Sequence, residues 1–410
     1  MKLNSLIPHL RLLIKFYFGL IRIKILAIFN YPKLLEKFKN YNEINLLSAE
    51  NIGNVYLQLD IALNSRNKKN IIITQDFDEF CIPYIAEILK KKINIIFSTK
   101  LFLLVQRGSF LKNKINKITI NSYKLSTIKD VTRSIIAPTE KKKIFLKNIS
   151  QKIIPSKKIQ NLKNKKIIFY SCRDSFFKND KGFNSFRSSN IKNSYLGLKY
   201  LKKKYTTIRV GHYKFKKTNL FKQYKIQNII ERNKLEAYIA EKCLFAIVGV
   251  SGIQTLPMFF EKPLLIHNFI GINRPPVIKS GIIIPKILTY QNGDIISIKD
   301  FFIKKKFVFE YDRNDGQFFP FYKVNIGALQ SDSGYKKLGV TYTDNTEDEI
   351  LNGMMEMEKY FVYKKKLDIN HIKLDQKFKK LFPRNHWIRD SKVLISYYWL
   401  KKYLHLYEIN

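Results

Sequence analysis

Cysteine is scarce. Cys81, Cys172 and Cys243 are the only three in 410 residues. An odd number without paired spacing argues against a disulfide framework or a zinc site, and fits a reducing cytosol. Long uncharged apolar runs are missing too. The stretch from Leu6 to Phe29 is rich in Leu, Ile and Phe, but Arg11, Lys15, Arg22 and Lys24 interrupt it. No segment approaches the ~18–20 apolar residues a membrane-spanning helix needs. No small-residue cleavage site follows it, which argues against a secretory signal. Several catalytic signatures are also absent: a Walker A loop, a Gly-x-Gly-x-x-Gly opening the first βα unit, a Gly-x-Ser-x-Gly elbow and a His-Glu-x-x-His pair. Their absence argues against P-loop NTPases, dinucleotide oxidoreductases, α/β-hydrolases and zinc peptidases. No repeat of solenoid period is present.

Acidic residues are few, 32 against 75 Lys and Arg, for a formal charge of +43. Such a balance invites a nucleic-acid reading. Two features weaken it. The basic residues are spread along the whole chain, and they come as Lys among Ile and Asn, as in Lys68-Lys69-Asn70-Ile71 and Lys163-Asn164-Lys165-Lys166-Ile167. No nucleic-acid-binding module is found by motif. Solvated lysines explain most of the charge, an anionic membrane surface comes second, and no nucleic acid is expected as a partner. Residues 1–30 read as a basic amphipathic helix, either lying on an anionic leaflet or packed on the protein. The expected location is cytoplasmic, peripheral on the inner face of the cytoplasmic membrane.

What is present is core material: 45% hydrophobic and 14% aromatic residues over a length that suits two domains. Ile44 to Leu47, Ile71-Ile72-Ile73 and Ile93 to Phe97 read as strands, with helices carrying Tyr56, Leu59 and Leu63, then Ile82, Ile85 and Leu89. Residues 100–166 are lysine-rich and weaker in pattern, with a linker expected near 150–163. The pattern then restarts: strands at Ile167–Tyr170, Thr207–Val210, Leu244–Val248 and Leu264–His267, and helices near Asn190–Lys204 and Asn233–Cys243. Thr346-Glu347-Asp348-Glu349 reads as a capping box opening a helix with Ile350, Met354 and Met357 inward. Apolar strands alternating with amphipathic helices imply parallel sheets covered on both faces. The fold class expected is α/β, two Rossmann-like domains at residues 31–155 and 164–365, with 366–410 as a helical tail.

Ligands in such sheets bind beyond the carboxyl ends of the strands. One such end is Gly249-Val250-Ser251-Gly252-Ile253-Gln254-Thr255, where small residues bring N–H groups toward one point and Ser251 and Thr255 add hydroxyls. Its alternative is a tight strand-to-helix turn with no ligand. Arg173 and Asp174 follow another end, Arg209 and Gly211 a third, His267 and Asn268 a fourth. A guanidinium at Arg209 needs an anion, either a diphosphate or a buried carboxylate within the fold. Asp174 is a candidate base, a partner for Arg173 or Arg209, or a ribose ligand. His212 and His267 are candidates for phosphate or sugar, or structural histidines. Asp76-Phe77-Asp78 resembles a metal-binding Asp-x-Asp, but follows a strand where acids also cap a helix, so no metal is expected.

Taken in order, Tyr170 to Ser175, Phe186 to Asn190, Thr207 to Gly211, Val250-Ser251-Gly252 with Leu256-Pro257, then Pro263, Asn268, Ile284-Pro285-Lys286 and Asn345 to Met357 resemble a bacterial glycosyltransferase family linked to surface-carbohydrate biosynthesis. The Ser251-Gly252 segment, with Thr255 and Pro263, also resembles the donor-site turn of the glycosyltransferase that completes lipid II. The resemblance implies GT-B architecture, no essential metal or other cofactor, a nucleotide-sugar donor, and a glycan or lipid-linked acceptor. It also implies that a final helix within Trp387–Leu404 crosses back to the first domain. One departure is Asn54 after Gly53, where the family leads us to expect histidine. The rival readings are a nucleotide-sugar epimerase of the non-hydrolysing kind and a non-enzymatic binder of anionic polymer.

Overall fold

The computed structural model describes residues 36, 38, 40–41, 43–47, 52–63, 70–76, 82–92, 94–107, 119–121, 138–152, 161–174, 187–211, 218–270, 278–298, 335–336, 339–382, 388–389 and 391–408. The chain forms two compact units, Met1–Lys124 and Leu125–Asn410. Residues 1–30 lie outside the described part. Among the described residues no helix is long and apolar enough to cross a membrane.

The first unit runs β1 (Glu43–Leu47), α1 (Ile52–Leu63), β2 (Asn70–Thr74), α2 (Pro83–Lys92), β3 (Ile95–Phe97), α3 (Thr99–Arg107) and β4 (Thr119–Asn121). Its four strands lie in the order β3-β2-β1-β4, all parallel. Ile71, Ile72 and Ile73 are buried on both sheet faces, as a continuous β-branched run in a parallel sheet requires. Ile44, Leu46, Leu101, Phe102 and Val105 close one core with Phe38.

The second unit runs α4 (Glu140–Lys152), β5 (Ile167–Ser171), α5 (Tyr195–Lys202), β6 (Thr206–Arg209), α6 (Ile229–Lys242), β7 (Cys243–Val248), α7 (Thr255–Phe259), β8 (Leu264–Phe269) and β9 (Gly281–Pro285). It continues through β10 (Ile287–Tyr290), β11 (Val340–Thr343), α8 (Glu347–Met357), α9 (Ile369–Lys380), β12 (Leu394–Ile395) and α10 (Tyr397–Glu408). Six strands form one parallel sheet, ordered β12-β9-β8-β7-β5-β6. A parallel bridge between Ile208 and Lys222 extends the sheet beyond β6. Counting that bridge, the strand order reverses between β5 and β7, as in a Rossmann-like sheet. The α/β class expected from the sequence is therefore present.

Local signals set the helix starts. Asn228 accepts the N–H groups of Ile230 and Glu231 and opens α6, while Asn190 caps the 3₁₀ turn Ile191–Ser194 that precedes α5. Thr346 and Glu349 form both bonds of the capping box at α8.

Two boundaries differ from expectation. The linker expected near 150–163 is not where the units divide. Helix α4 belongs to the second unit because Phe145 packs edge-on to Phe259 at 6.3 Å and the buried Lys142 bonds Glu261. Residues 366–410 are not an appendage. β12 adds an edge strand beside β9, and α10 lays Trp399, Leu400 and Tyr407 into the interior, with Trp399 5.5 Å from Phe378 of α9. The final helix packs on α8 and α9 of its own unit.

Candidate functional site

The carboxyl ends of β5 and β7 lie side by side at the strand-order reversal, where an open α/β sheet leaves a crevice. The N–H of Gly249 donates to the Ser171 carbonyl at 3.0 Å, so the two strand ends stay in register as the chain leaves the sheet. Gly249 leaves room there: a Cβ would stand 3.7 Å from Ser189 Oγ and 3.8 Å from the Arg173 nitrogen.

Beyond Gly249 the chain turns through Ser251, extended at φ −152° and ψ 163°, into the 3₁₀ turn Gly252–Gln254 and then α7. Among the described residues, nothing accepts the N–H groups of Ser251, Gly252 and Ile253. These are the unclaimed donors of a helix start, and they suit an anion. Ser251 makes no capping bond of its own. Thr255 departs from expectation: its hydroxyl donates to the Gly252 carbonyl at 2.8 Å and is buried, so it braces the turn.

Arg187 reaches this turn from a distant segment, its Nε donating to the Val250 carbonyl at 3.3 Å. No carboxylate among the described residues pairs with it. Burial lowers its pKa, because the desolvated guanidinium has lost water without gaining a counter-charge. Sequence reasoning quoted Arg187 within a motif but did not place it in the site. Its contact spans 63 positions, and no local pattern signals it.

Arg209 sits at the end of β6 as expected, 2% exposed, but its anion is a carboxylate of the fold. Its Nη2 donates to Asp174 Oδ2 at 2.7 Å in a pair whose side chains are 1% and 4% exposed. The ring centroid of Phe221 lies 5.6 Å from the guanidinium carbon. That carboxylate is one of the two anions the sequence allowed. Asp174, the candidate base, is correspondingly engaged. Arg173 is buried beside it, and its carbonyl accepts the N–H of Ser189 at 2.8 Å.

Gly211 follows at φ +104°, a conformation suited to glycine. Its N–H favours the charged form of the Glu236 carboxylate on α6, a residue sequence reasoning missed. Burial pushes Glu236 up to about 7, and Arg232 and the Gly211 N–H oppose the rise. The available signal was an acid four positions before Ala240 on the buried stripe of α6.

His267 and Asn268 lie in the last half of β8, just before Phe269, both fully buried. Asn268, at φ +52°, and Asn345 hold each other: each side-chain oxygen accepts the other's backbone N–H, at 2.6 and 2.5 Å. That fixes the Asn268 amide, so its Nδ2 donates to His267 Nδ1 at 3.2 Å. The His267 proton must then sit on Nε2, which is buried and without a partner among the described residues. Burial pulls His267 down to about 4, Asp344 opposing and Lys286 adding to the fall. Lys286 is itself buried, 2.7 Å from Asp344 and 3.1 Å from the Ser188 carbonyl.

No protein family, curated protein or solved structure matches this chain.

The structure thus brings Arg173, Asp174, Arg209 and Gly211 to neighbouring strand ends, joins Ser251, Gly252 and Thr255 in one turn, and sets His267 and Asn268 two strands along from β5. Gly53 and Asn54 lie in the first turn of α1, in the other unit. His212 lies outside the described residues. So do Phe77 and Asp78, while Asp76 is exposed after β2. No group of three or more His, Cys, Asp or Glu suited to a metal occurs among the described residues.

Proposed function

We propose that this protein is a glycosyltransferase that binds a nucleotide-sugar at the carboxyl ends of β5 and β7. The observation that carries the reading is the turn at Ser251-Gly252-Ile253. It offers unclaimed N–H groups at the point of strand-order reversal, with the desolvated Arg187 guanidinium on its Val250 carbonyl. A diphosphate matches both: its oxygens accept from the turn, and its charge restores what burial removed from Arg187. In this reading Arg187 takes the phosphate role first expected of Arg209. The Arg209–Asp174 pair then holds the ends of β5 and β6 in position. Charge that builds on the diphosphate as the sugar leaves is stabilised by donors already aimed, without metal.

The two-domain GT-B architecture belongs to the same proposal, with the first unit offering the site for a glycan or lipid-linked acceptor. So does a peripheral place on the inner membrane face, where an anionic surface and a lipid-linked acceptor would meet the basic chain.

The test is a calorimetric titration with UDP and a UDP-sugar, with EDTA present. Wild-type protein is expected to bind, and Arg187→Ala to lose about ten- to a hundredfold in affinity, the equivalent of roughly 1.5–3 kcal/mol. Its melting transition should be preserved. Absence of nucleotide binding by the wild type, or unchanged affinity in a folded Arg187→Ala protein, overturns the reading.

A further inference from the structure

A second site lies on the helical side of the second unit, away from the strand ends. Between α5, α8 and α10 there is a cavity of about 350 Å³. One wall is the π-helical turn Glu358–Val362 that follows α8, a rare conformation often associated with functional sites. Tyrosines and lysines supply most of the lining, among them Tyr200, Tyr360, Tyr397, Lys359, Lys365 and Lys401.

The two carboxylates in the wall are already engaged. Glu356 accepts the backbone N–H groups of Tyr397 and Tyr398 at 3.1 and 3.0 Å and the Ser396 hydroxyl at 3.1 Å, so it caps α10. Glu358 accepts hydroxyls from Tyr200, Tyr205 and Tyr363 and the ammonium of Lys204. Lys359, Lys365 and Lys401 form no ion pair with any described residue, which leaves the cavity positive. The ammonium of Lys359 is held 5.1 Å from the Tyr360 ring centre, and that of Lys401 4.7 Å from the Tyr397 ring centre. Such cation–π contacts position a lysine without neutralising it.

We propose that this cavity binds an acidic saccharide. The ammonium groups meet its carboxylate or phosphate groups. The hydroxyls of Tyr397 and Tyr398, which both donate and accept, and the Asn352 amide oxygen, whose Nδ2 already donates to the Asp348 carbonyl at 2.8 Å, meet its hydroxyls. A nucleobase fits less well, because Tyr200, Tyr360, Tyr363 and Tyr397 each already carry an ammonium on one ring face. The volume falls in the range of pockets that hold a small ligand, about 300–1,000 Å³. None of the strand-end residues lines it, so the inference stands apart from the nucleotide-sugar reading and is tested without nucleotide.

The full chain is titrated calorimetrically with tetragalacturonate, with neutral maltotetraose and with inorganic pyrophosphate. Tetragalacturonate is expected to bind the wild type, and Lys359→Ala/Lys401→Ala to weaken it at least tenfold. Lys359→Arg/Lys401→Arg, which keeps the charge, is expected to stay within about threefold of wild type. The exposed pair Lys165 and Lys166, outside the cavity, serves as control: Lys165→Ala/Lys166→Ala removes the same charge and should change little. Equal weakening by both alanine pairs, or by neither, overturns the site. Maltotetraose binding as tightly as tetragalacturonate overturns the acidic requirement. Pyrophosphate binding as tightly and displacing it overturns the saccharide. Should Lys359→Ala/Lys401→Ala fail to fold, Lys359→Gln/Lys401→Gln replaces it with the same expectations.

Discussion

Glu236 and His267 are both buried in the second unit, and burial drives their titrations in opposite senses. In the unfolded chain His267 takes up a proton near 6.5, whereas in the folded protein it resists until about 4. Its contribution is therefore full above 6.5 and is lost as pH falls toward 4. Glu236 keeps its proton to about 7 in the folded protein, against 4.5 when unfolded. Its contribution is full below 4.5 and is lost as pH rises toward 7. Each displacement corresponds to about 3 kcal/mol. Between pH 4.5 and 6.5 the two slopes oppose each other and nearly cancel.

Single substitutions should expose each slope. Relative to wild type, Glu236→Gln should gain about 3 kcal/mol as pH rises from 4.5 to 7. His267→Gln should gain a similar amount relative to wild type as pH falls from 6.5 to 4. The assay is urea unfolding followed by tryptophan fluorescence. Both tryptophans, Trp387 and Trp399, fall in the second unit, so the signal reports on that unit alone. A Glu236→Gln difference that is the same at pH 5 and pH 7.5 would refute the burial of that carboxyl.

Two further outcomes follow from close contacts in the same unit. Arg209→Ala leaves the Asp174 carboxylate buried without its cation and should cost about 3–5 kcal/mol in the same unfolding assay. Arg209→Ala/Asp174→Ala should recover part of that loss, and a single-variant cost below about 1 kcal/mol would mean the pair does not form. Gly281→Ala puts a Cβ 1.9 Å from the Leu264 carbonyl oxygen at φ +139°. Because that oxygen is backbone, β8 and β9 must separate, and the loss should reach at least about 3 kcal/mol. A Gly281→Ala protein as stable as wild type would contradict the register of those strands.

The sequence made some of this legible and hid the rest for identifiable reasons. Strands β2, β5, β7 and β8 declared themselves because parallel strands buried on both faces must be continuous apolar runs, as in Ile71–Ile73 and Leu244–Val248. The capping box at Thr346 was equally plain, since its partners lie three residues apart. By contrast, β12 is two residues long and has no periodicity to read, and its place beside β9 is set by tertiary pairing. Helix α4 went unread within the weakly patterned stretch 100–166 because Lys141, Lys142 and Lys143 mask an amphipathic face carrying Phe145 and Ile149. At the site, Arg209 was legible as a buried arginine at a strand end, but not the choice of Asp174 as its partner. Arg187 and Glu236 were illegible as site residues because their positions come from packing. Each reaches a strand end from a segment that does not adjoin it in sequence.

The parallel sheet of the second unit also has a timing. β9 ends at Pro285, while its outer neighbour β12 begins at Leu394. At typical rates of synthesis, roughly 5–20 residues per second, the ribosome needs on the order of ten seconds to make the intervening chain. Throughout that interval the hydrogen-bonding groups of Ile282 and Ile283 on that side have no strand to meet, and they belong to the apolar run Gly281–Pro285. An unpaired apolar edge of this kind is a template for another nascent chain. Yield on expression should therefore depend on how fast translation proceeds past Pro285 and on whether a chaperone shields that edge, even where the finished protein is stable.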